Sequence, residues 1–124
     1  MTTNGSTPSD GVSRFIADLE DESCDPARRG DVVRYSVVPA TGRFAGKNVL
    51  TGISVAELQG WPTAPPHWIH LEDQVTFDGP ITTDVQDCPP GWRRHSRDIG
   101  PWVMDRKPMH IWLAHLRCVL GQVV

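Results

Sequence analysis

The segment WPTAPPHWIH, residues 61–70, constrains the fold of this chain more strongly than any other stretch of its sequence. It contains three prolines, and proline is excluded from the interior of a β-sheet because it has no N–H to donate to a neighbouring strand. Residues 62–66 are therefore expected to form an extended connector between two elements of secondary structure. Trp61, at the start of this connector, is expected to pack into the core or onto a neighbouring loop.

The chain before the connector predicts one helix followed by two strands. Four apolar residues at helical spacing predict a helix over residues 12–22, and they are Val12, Phe15, Ile16 and Leu19. The segments DVVRYSVV, residues 31–38, and NVLTGISV, residues 48–55, are rich in β-branched residues, which is typical of strands. Glycines in the segment between them indicate a turn, so the two strands are expected to pair antiparallel.

The chain after the connector predicts a strand over residues 67–77, a long loop over residues 78–102 and a helix that begins at Pro108. The helix has a buried stripe composed of Met109, Trp112, Leu113, Leu116 and Leu120. A loop of this length in a small domain is often functional. The order of elements predicts an α+β fold in which consecutive strands pair and both helices lie on one side of the sheet.

Composition narrows the class of protein. The 124 residues fit one domain over residues 11–124, preceded by a small polar tail over residues 1–10 that is expected to be disordered. A net charge of -3 without a basic block argues against a nucleic-acid partner. No segment has the run of about 20 apolar residues that crosses a membrane, and the N-terminus lacks the apolar centre of a signal peptide. The odd number of cysteines fits a reducing compartment, so a cytoplasmic location is expected.

The connector W-P-x-x-P-P, the later Cys88 in the long loop and the segment GWRRHSRDIGPW after it together resemble the ubiquitin-conjugating enzyme (UBC) superfamily. The last segment is similar to that of a divergent bacterial branch, prokaryotic family E. The resemblance implies a UBC-like antiparallel β-meander with an N-terminal and a C-terminal helix packed on the sheet. It also implies a ThiF-type activating enzyme and a ubiquitin-like protein as partners, with a JAB-type peptidase encoded in the same operon, and no cofactor or metal.

The resemblance assigns roles to residues in the long loop. Cys88 would carry the ubiquitin-like protein as a thioester, and His95 would transfer a proton or hold the loop. Partner binding would fall to the surrounding residues Trp92, Arg93, Arg94 and Arg97. From the residues alone, Cys88 fits an incidental loop thiol better than a catalytic group, and the alternative for His95 is a surface loop histidine. The other two cysteines, Cys24 and Cys118, are expected to have no role in catalysis.

Two alternatives to a catalytic carrier stay open. A non-catalytic UBC-like adaptor would bind the activating enzyme or the ubiquitin-like protein without chemistry. The absence of the His-Pro-Asn triplet that precedes the cysteine in classical members favours this alternative. A small zinc protein would use His67 and His70, but a His-x-x-His pair is a weak signal because zinc needs three or four ligands.

Overall fold

The structure, a computed structural model, describes residues 10–79, 82–103 and 105–124. The predicted disordered tail lies outside the described residues except for Asp10. The first helix, α1, spans Gly11–Asp21, and Asp10 caps it by accepting a hydrogen bond of 2.9 Å from the N–H of Val12. The last helix, α2, spans Pro108–Leu120 with proline at its first turn, as the sequence predicted.

Six strands in the described residues form one antiparallel sheet. They are β1 (Ala27–Arg29), β2 (Val32–Val37), β3 (Val49–Ser54), β4 (Trp68–Glu72), β5 (Thr83–Asp84) and β6 (Trp92–Ser96). Their order across the sheet is β1-β2-β3-β4-β6-β5, and every neighbouring pair is antiparallel. A short 3₁₀ helix, Val55–Leu58, follows β3 directly. The predicted α+β class and the pairing of the first two predicted strands are confirmed.

The prediction of an unbroken loop over residues 78–102 was wrong, because β5 and β6 lie within it. Strand β6 has the sequence WRRHS, and two of its buried residues, Arg94 and His95, are polar. A strand that buries polar side chains does not show the apolar alternation by which strands are recognised in a sequence. The strand predicted over residues 67–77 ends earlier, at Glu72.

Both helices pack against one face of the sheet, as predicted. Phe15 of α1 meets the ring of Tyr35 edge-to-face at 5.8 Å, and Trp112 of α2 donates a hydrogen bond of 3.0 Å from Nε1 to the hydroxyl of the same tyrosine. Trp112 and Leu116 are fully buried, which confirms the predicted stripe of α2. No helix in the described part of the chain is long and apolar enough to cross a membrane.

The proline-rich connector lies against α1 and the segment before α2. Trp61 is buried, meets Phe15 edge-to-face at 4.9 Å and donates a hydrogen bond of 3.0 Å to Asp18. Trp102 packs on Trp61 at 5.7 Å and donates to the carbonyl of Pro62 at 3.0 Å. The prediction that Trp61 packs into the core is confirmed, and the connector delivers the chain into β4 at the centre of the sheet.

Candidate functional site

The face of the sheet opposite the helices carries a cysteine–histidine pair. His70 lies in the middle of β4, and Cys88 lies in the segment between β5 and β6 that crosses this face. The Sγ atom of Cys88 is 3.4 Å from Nδ1 of His70, which is within hydrogen-bonding range for sulfur. The imidazole of His70 is fully buried, whereas Cys88 is half-buried and reaches the surface.

A carboxylate holds the other side of the imidazole. Nε2 of His70 lies 2.7 Å from Oε2 of Glu57 in the 3₁₀ helix. Glu57 also accepts hydrogen bonds of 3.2 Å from the backbone N–H groups of Ser54 and Trp68. The bond from Ser54 completes a capping box, in which the Ser54 hydroxyl accepts from the N–H of Ala56. The orientation of Glu57 is therefore set by the backbone before it meets His70.

These contacts assign the proton positions of the pair. Because the Glu57 carboxylate is an acceptor, Nε2 of His70 carries the hydrogen, which leaves the lone pair of Nδ1 facing Cys88. The S–H of Cys88 then donates to Nδ1. Burial raises the pKa of the Cys88 thiol to about 11, although the Arg94 guanidinium opposes this rise. The resting thiol is therefore protonated, and His70 can accept its proton as the sulfur attacks, in the nucleophile–base–carboxylate order of acyl-transfer enzymes.

Cys88 lies where two surface grooves meet. One groove has a volume of about 700 Å³ and runs past Ser54, Val55 and Ala56 to the sulfur. The second has a volume of about 330 Å³ and lies between Val85 and Trp92. Cys88 is therefore bordered by two grooves, which offer room for an acyl donor and for an acyl acceptor.

Cys88 and the two prolines after it have no spare backbone hydrogen-bond donor. The N–H of Cys88 donates to the carbonyl of Val85 at 3.1 Å. Pro89 and Pro90 have no N–H, and the N–H of Trp92 donates to the carbonyl of Pro89 at 3.2 Å. Residues 88–90 thus provide no free amide N–H that could stabilise an oxyanion. Such stabilisation usually contributes a large part of the catalysis of amide and ester cleavage. Acyl groups with a good leaving group, such as thioesters, suit this site better than peptide bonds.

The structure does not bring His95 to Cys88, contrary to its predicted catalytic role. His95 follows Arg94 in β6, and neighbouring residues in a strand point to opposite faces. His95 lies on the helix-facing side, where its ring is 5.2 Å from that of Phe77, and neither ring nitrogen has a hydrogen-bond partner in the described residues. Burial lowers the pKa of His95, and the nearby Arg97 and Arg93 lower it further.

The four residues predicted to bind a partner do not form one surface, for the same reason. Trp92 and Arg94 are buried on the Cys88 side of the sheet. Arg93 points the other way and pairs with Asp73 at 3.3 Å in solvent. Arg97 donates to the side chain of Gln122 at 3.0 Å, and its guanidinium lies 4.9 Å from the ring centre of Phe77.

His70 and Glu57 are the site residues that sequence reasoning missed. The sequence pattern offers His70 only together with His67 as a metal ligand, whereas the structure pairs His67 with the hydroxyl of Ser96 at 2.6 Å. Glu57 could have been identified from the sequence, because Ser-x-x-Glu after a strand indicates a capping box that fixes the glutamate. No group of three or more potential metal ligands lies among the residues that the structure describes.

The remaining two cysteines lie apart from this site. The thiol of Cys24 is buried and lies 3.7 Å from the carbonyl of Glu22, and Cys118 is exposed on α2. Comparisons with protein-family models, with curated proteins and with solved structures found no match to this chain. The function therefore has to be inferred from the arrangement of Cys88, His70 and Glu57.

Proposed function

We propose that this protein is a UBC-like carrier that accepts the C-terminal acyl group of a ubiquitin-like protein on Cys88 and transfers it to an amine. The acyl donor would be a ThiF-type activating enzyme that holds the ubiquitin-like protein as a thioester. The observation that carries the proposal is the contact of 3.4 Å between Cys88 Sγ and His70 Nδ1, with Glu57 behind the imidazole. A cytoplasmic location, which keeps thiols reduced, belongs to the same proposal.

The proposed loading step is a thioester exchange. The sulfur of Cys88 attacks the donor carbonyl while His70 takes the thiol proton through Nδ1. The donor sulfur leaves and receives a proton, so one thioester is replaced by another. In the second step the amine attacks the Cys88 thioester and loses a proton, so that an amide forms. The sulfur leaves and takes up a proton, which regenerates the thiol. A thiolate leaving group compensates for the scarcity of oxyanion donors beside Cys88.

The burial of His70 supports a carrier rather than a hydrolase. The His70 side chain has only 1% of its surface exposed, and Nδ1 is covered by the sulfur of Cys88 itself. In this arrangement the sulfur lies between solvent and Nδ1, which limits activation of water by the base. A thioester on Cys88 would accordingly persist until an acceptor amine enters one of the two grooves.

A non-catalytic adaptor is the second candidate. The observation that favours it is the raised pKa of Cys88, about 11, which leaves little thiolate near neutral pH. In this alternative the protein binds the activating enzyme or the ubiquitin-like protein, and Cys88 and His70 form a structural hydrogen bond. The two candidates differ in whether a covalent adduct ever forms on Cys88.

The deciding experiment mixes the protein with its activating enzyme, its ubiquitin-like protein and ATP. A carrier forms an adduct that a reducing agent removes, and Cys88→Ser either abolishes it or converts it to an ester that resists reduction. Cys24→Ser and Cys118→Ser are the matched controls and should load normally. An unmodified wild-type protein beside an activating enzyme that has charged itself would favour the adaptor.

A further inference from the structure

One buried arginine connects the segment that carries Cys88 to the strand that carries His70. Arg94 of β6 is the cross-strand partner of His70, and its side chain lies on the same face of the sheet. Its guanidinium stacks 3.9 Å from the ring centre of Trp68, also on β4. Only 8% of Arg94 is exposed, so its charge has to be satisfied by the protein around it.

The partners of this charge lie in the segment that leads to Cys88. Nε of Arg94 donates to Oδ1 of Asp84 at 2.6 Å, and Nη2 donates to Oδ2 of the same carboxylate at 3.3 Å. Nη2 also donates to the side chain of Gln86 at 3.2 Å, and Nη1 lies 4.0 Å from the carboxylate of Asp87. One planar guanidinium thus contacts three of the four residues that precede Cys88.

The backbone before the thiol needs such support. Asp87 has a φ of 60°, in the left-handed region that residues with a side chain rarely adopt, and it directly precedes Cys88. Strained positions of this kind persist only where their surroundings hold them. The nearest cation that the structure places beside Asp87 is Arg94, so the same side chain stabilises the turn that aims the thiol.

We propose that Arg94 is a positioning residue that holds Cys88 within reach of His70. The proposal deepens the proposed function and rests on it only in taking Cys88 as the group that is acylated. Arg94 does not touch the reacting atoms. It acts by tying Asp84, Gln86 and Asp87 to β4, which brings the sulfur to Nδ1.

The proposal can be tested without any partner protein. In a Cys24→Ser, Cys118→Ser background Cys88 is the sole thiol. The probe is the thioester of N-acetylglycine with 2-mercaptoethanesulfonate, and acylation of Cys88 is followed by intact mass. We expect Arg94→Gln to slow acylation at neutral pH by about tenfold, because the thiol no longer meets its base. Arg94→Lys should recover part of the rate, since it keeps the charge but not the planar geometry.

Two further readouts separate positioning from a general loss of structure. Alkylation of Cys88 by iodoacetamide should shift to lower pH in Arg94→Gln. Burial has the larger influence on the pKa of the half-buried thiol, and a released loop removes it, which outweighs the rise in pKa caused by loss of the Arg94 charge. The variant therefore ionises more easily yet acylates more slowly. In a His70→Gln background, Arg94→Gln should slow acylation no further, because both changes remove the same proton transfer. Arg28→Gln, at an exposed arginine of β1 away from both grooves, is the control and should leave both rates unchanged.

The proposal is overturned if Arg94→Gln acylates at the wild-type rate, or if its tenfold loss persists in the His70→Gln background. Circular dichroism and the melting temperature establish that each variant is folded. If Arg94→Gln does not fold, Asp84→Asn and Gln86→Ala weaken the same contacts from the loop side and should produce the same opposed shifts. Failure of enzymatic loading by a ubiquitin-like protein would reject the proposed function and leave these measurements interpretable.

Discussion

The two faces of the sheet bury different kinds of side chain, which are stabilised by different interactions. The helix-facing side is mainly apolar, and its largest buried residues include Phe15, Leu71 and Trp112. Its polar exceptions are Thr51 and His95. Burial there stabilises the fold through apolar area, at about 25 cal/mol per Å². The opposite side buries His70 and Arg94, which are polar and need specific partners to be tolerated there.

Because of this difference, substitutions on one face should mainly change the stability of the fold, and substitutions on the other should mainly change the reactivity of Cys88. A change on the helix-facing side leaves a cavity, and its cost appears in the free energy of unfolding. A change on the Cys88 side breaks a chain of directional contacts from Glu57 through His70 to the thiol. Its main cost should appear in the reactivity of Cys88, because those contacts assign the protons. The following predictions test this separation, from the largest expected effect to the smallest.

Trp112→Ala should have the largest effect on stability. The indole is fully buried and donates to Tyr35, so its removal should lower the free energy of unfolding by about 3–5 kcal/mol. Urea denaturation followed by circular dichroism measures the change. Trp112→Phe is the control and should lose less, because most of the apolar area remains. A loss below about 1 kcal/mol for the alanine variant would contradict the burial of this ring.

Glu57→Gln should affect acylation of Cys88 far more than it affects folding. The amide can still accept from the backbone of Ser54 or Trp68, but it no longer stabilises the imidazolium that forms as the thiol is deprotonated. We expect acylation by the small thioester to fall by about 100-fold. Glu72→Gln, on the last residue of β4, is the control. Equal rates in wild type and Glu57→Gln would remove the carboxylate from the mechanism.

The pH dependence of alkylation tests the buried state of the thiol. With Cys24 and Cys118 replaced by serine, alkylation of Cys88 should rise with a midpoint at its pKa of about 11, well above the pKa of 9.0 of an exposed cysteine. The pKa of Cys88 is raised because burial favours the neutral thiol in the folded protein. Stability should therefore fall between about pH 9 and 11, where the thiol of the unfolded chain ionises first. Cys88→Ser should show a smaller decline that begins nearer pH 10, where the raised pKa of the buried Tyr35 takes effect. A midpoint near 9 would show a solvated thiol.

Arg93→Gln should have the smallest effect. Arg93 and Asp73 form an ion pair of 3.3 Å in which both side chains are about half-exposed, at 55% and 51%. Such pairs contribute about 0–1 kcal/mol, and salt screens them. The variant should unfold within about 0.5 kcal/mol of wild type and alkylate at the wild-type pH. A large change in either quantity would mean that the two faces of β6 are coupled.

The apolar half of the molecule could be read from the sequence. The helices at Gly11–Asp21 and Pro108–Leu120 follow stripes at helical spacing, and β2 and β3 follow runs of β-branched residues. The connector after Trp61 follows from the inability of proline to donate within a sheet. Each of these signals is local, so neighbouring residues are enough to reveal it.

The candidate site depended on the tertiary structure. Glu57, His70 and Cys88 come from a 3₁₀ helix, a central strand and a loop, and no local pattern links their side chains. They meet because β6 pairs with β4, which places Arg94 beside His70 and draws the segment from Asp84 to Cys88 across the sheet. The sequence by itself determined the apolar stripes of both helices and the proline-rich connector, whereas the long loop that it predicted around Cys88 contains β5 and β6. Only the pairing of two strands separated along the chain decided which histidine faces Cys88, because a strand sends adjacent residues such as Arg94 and His95 to opposite faces.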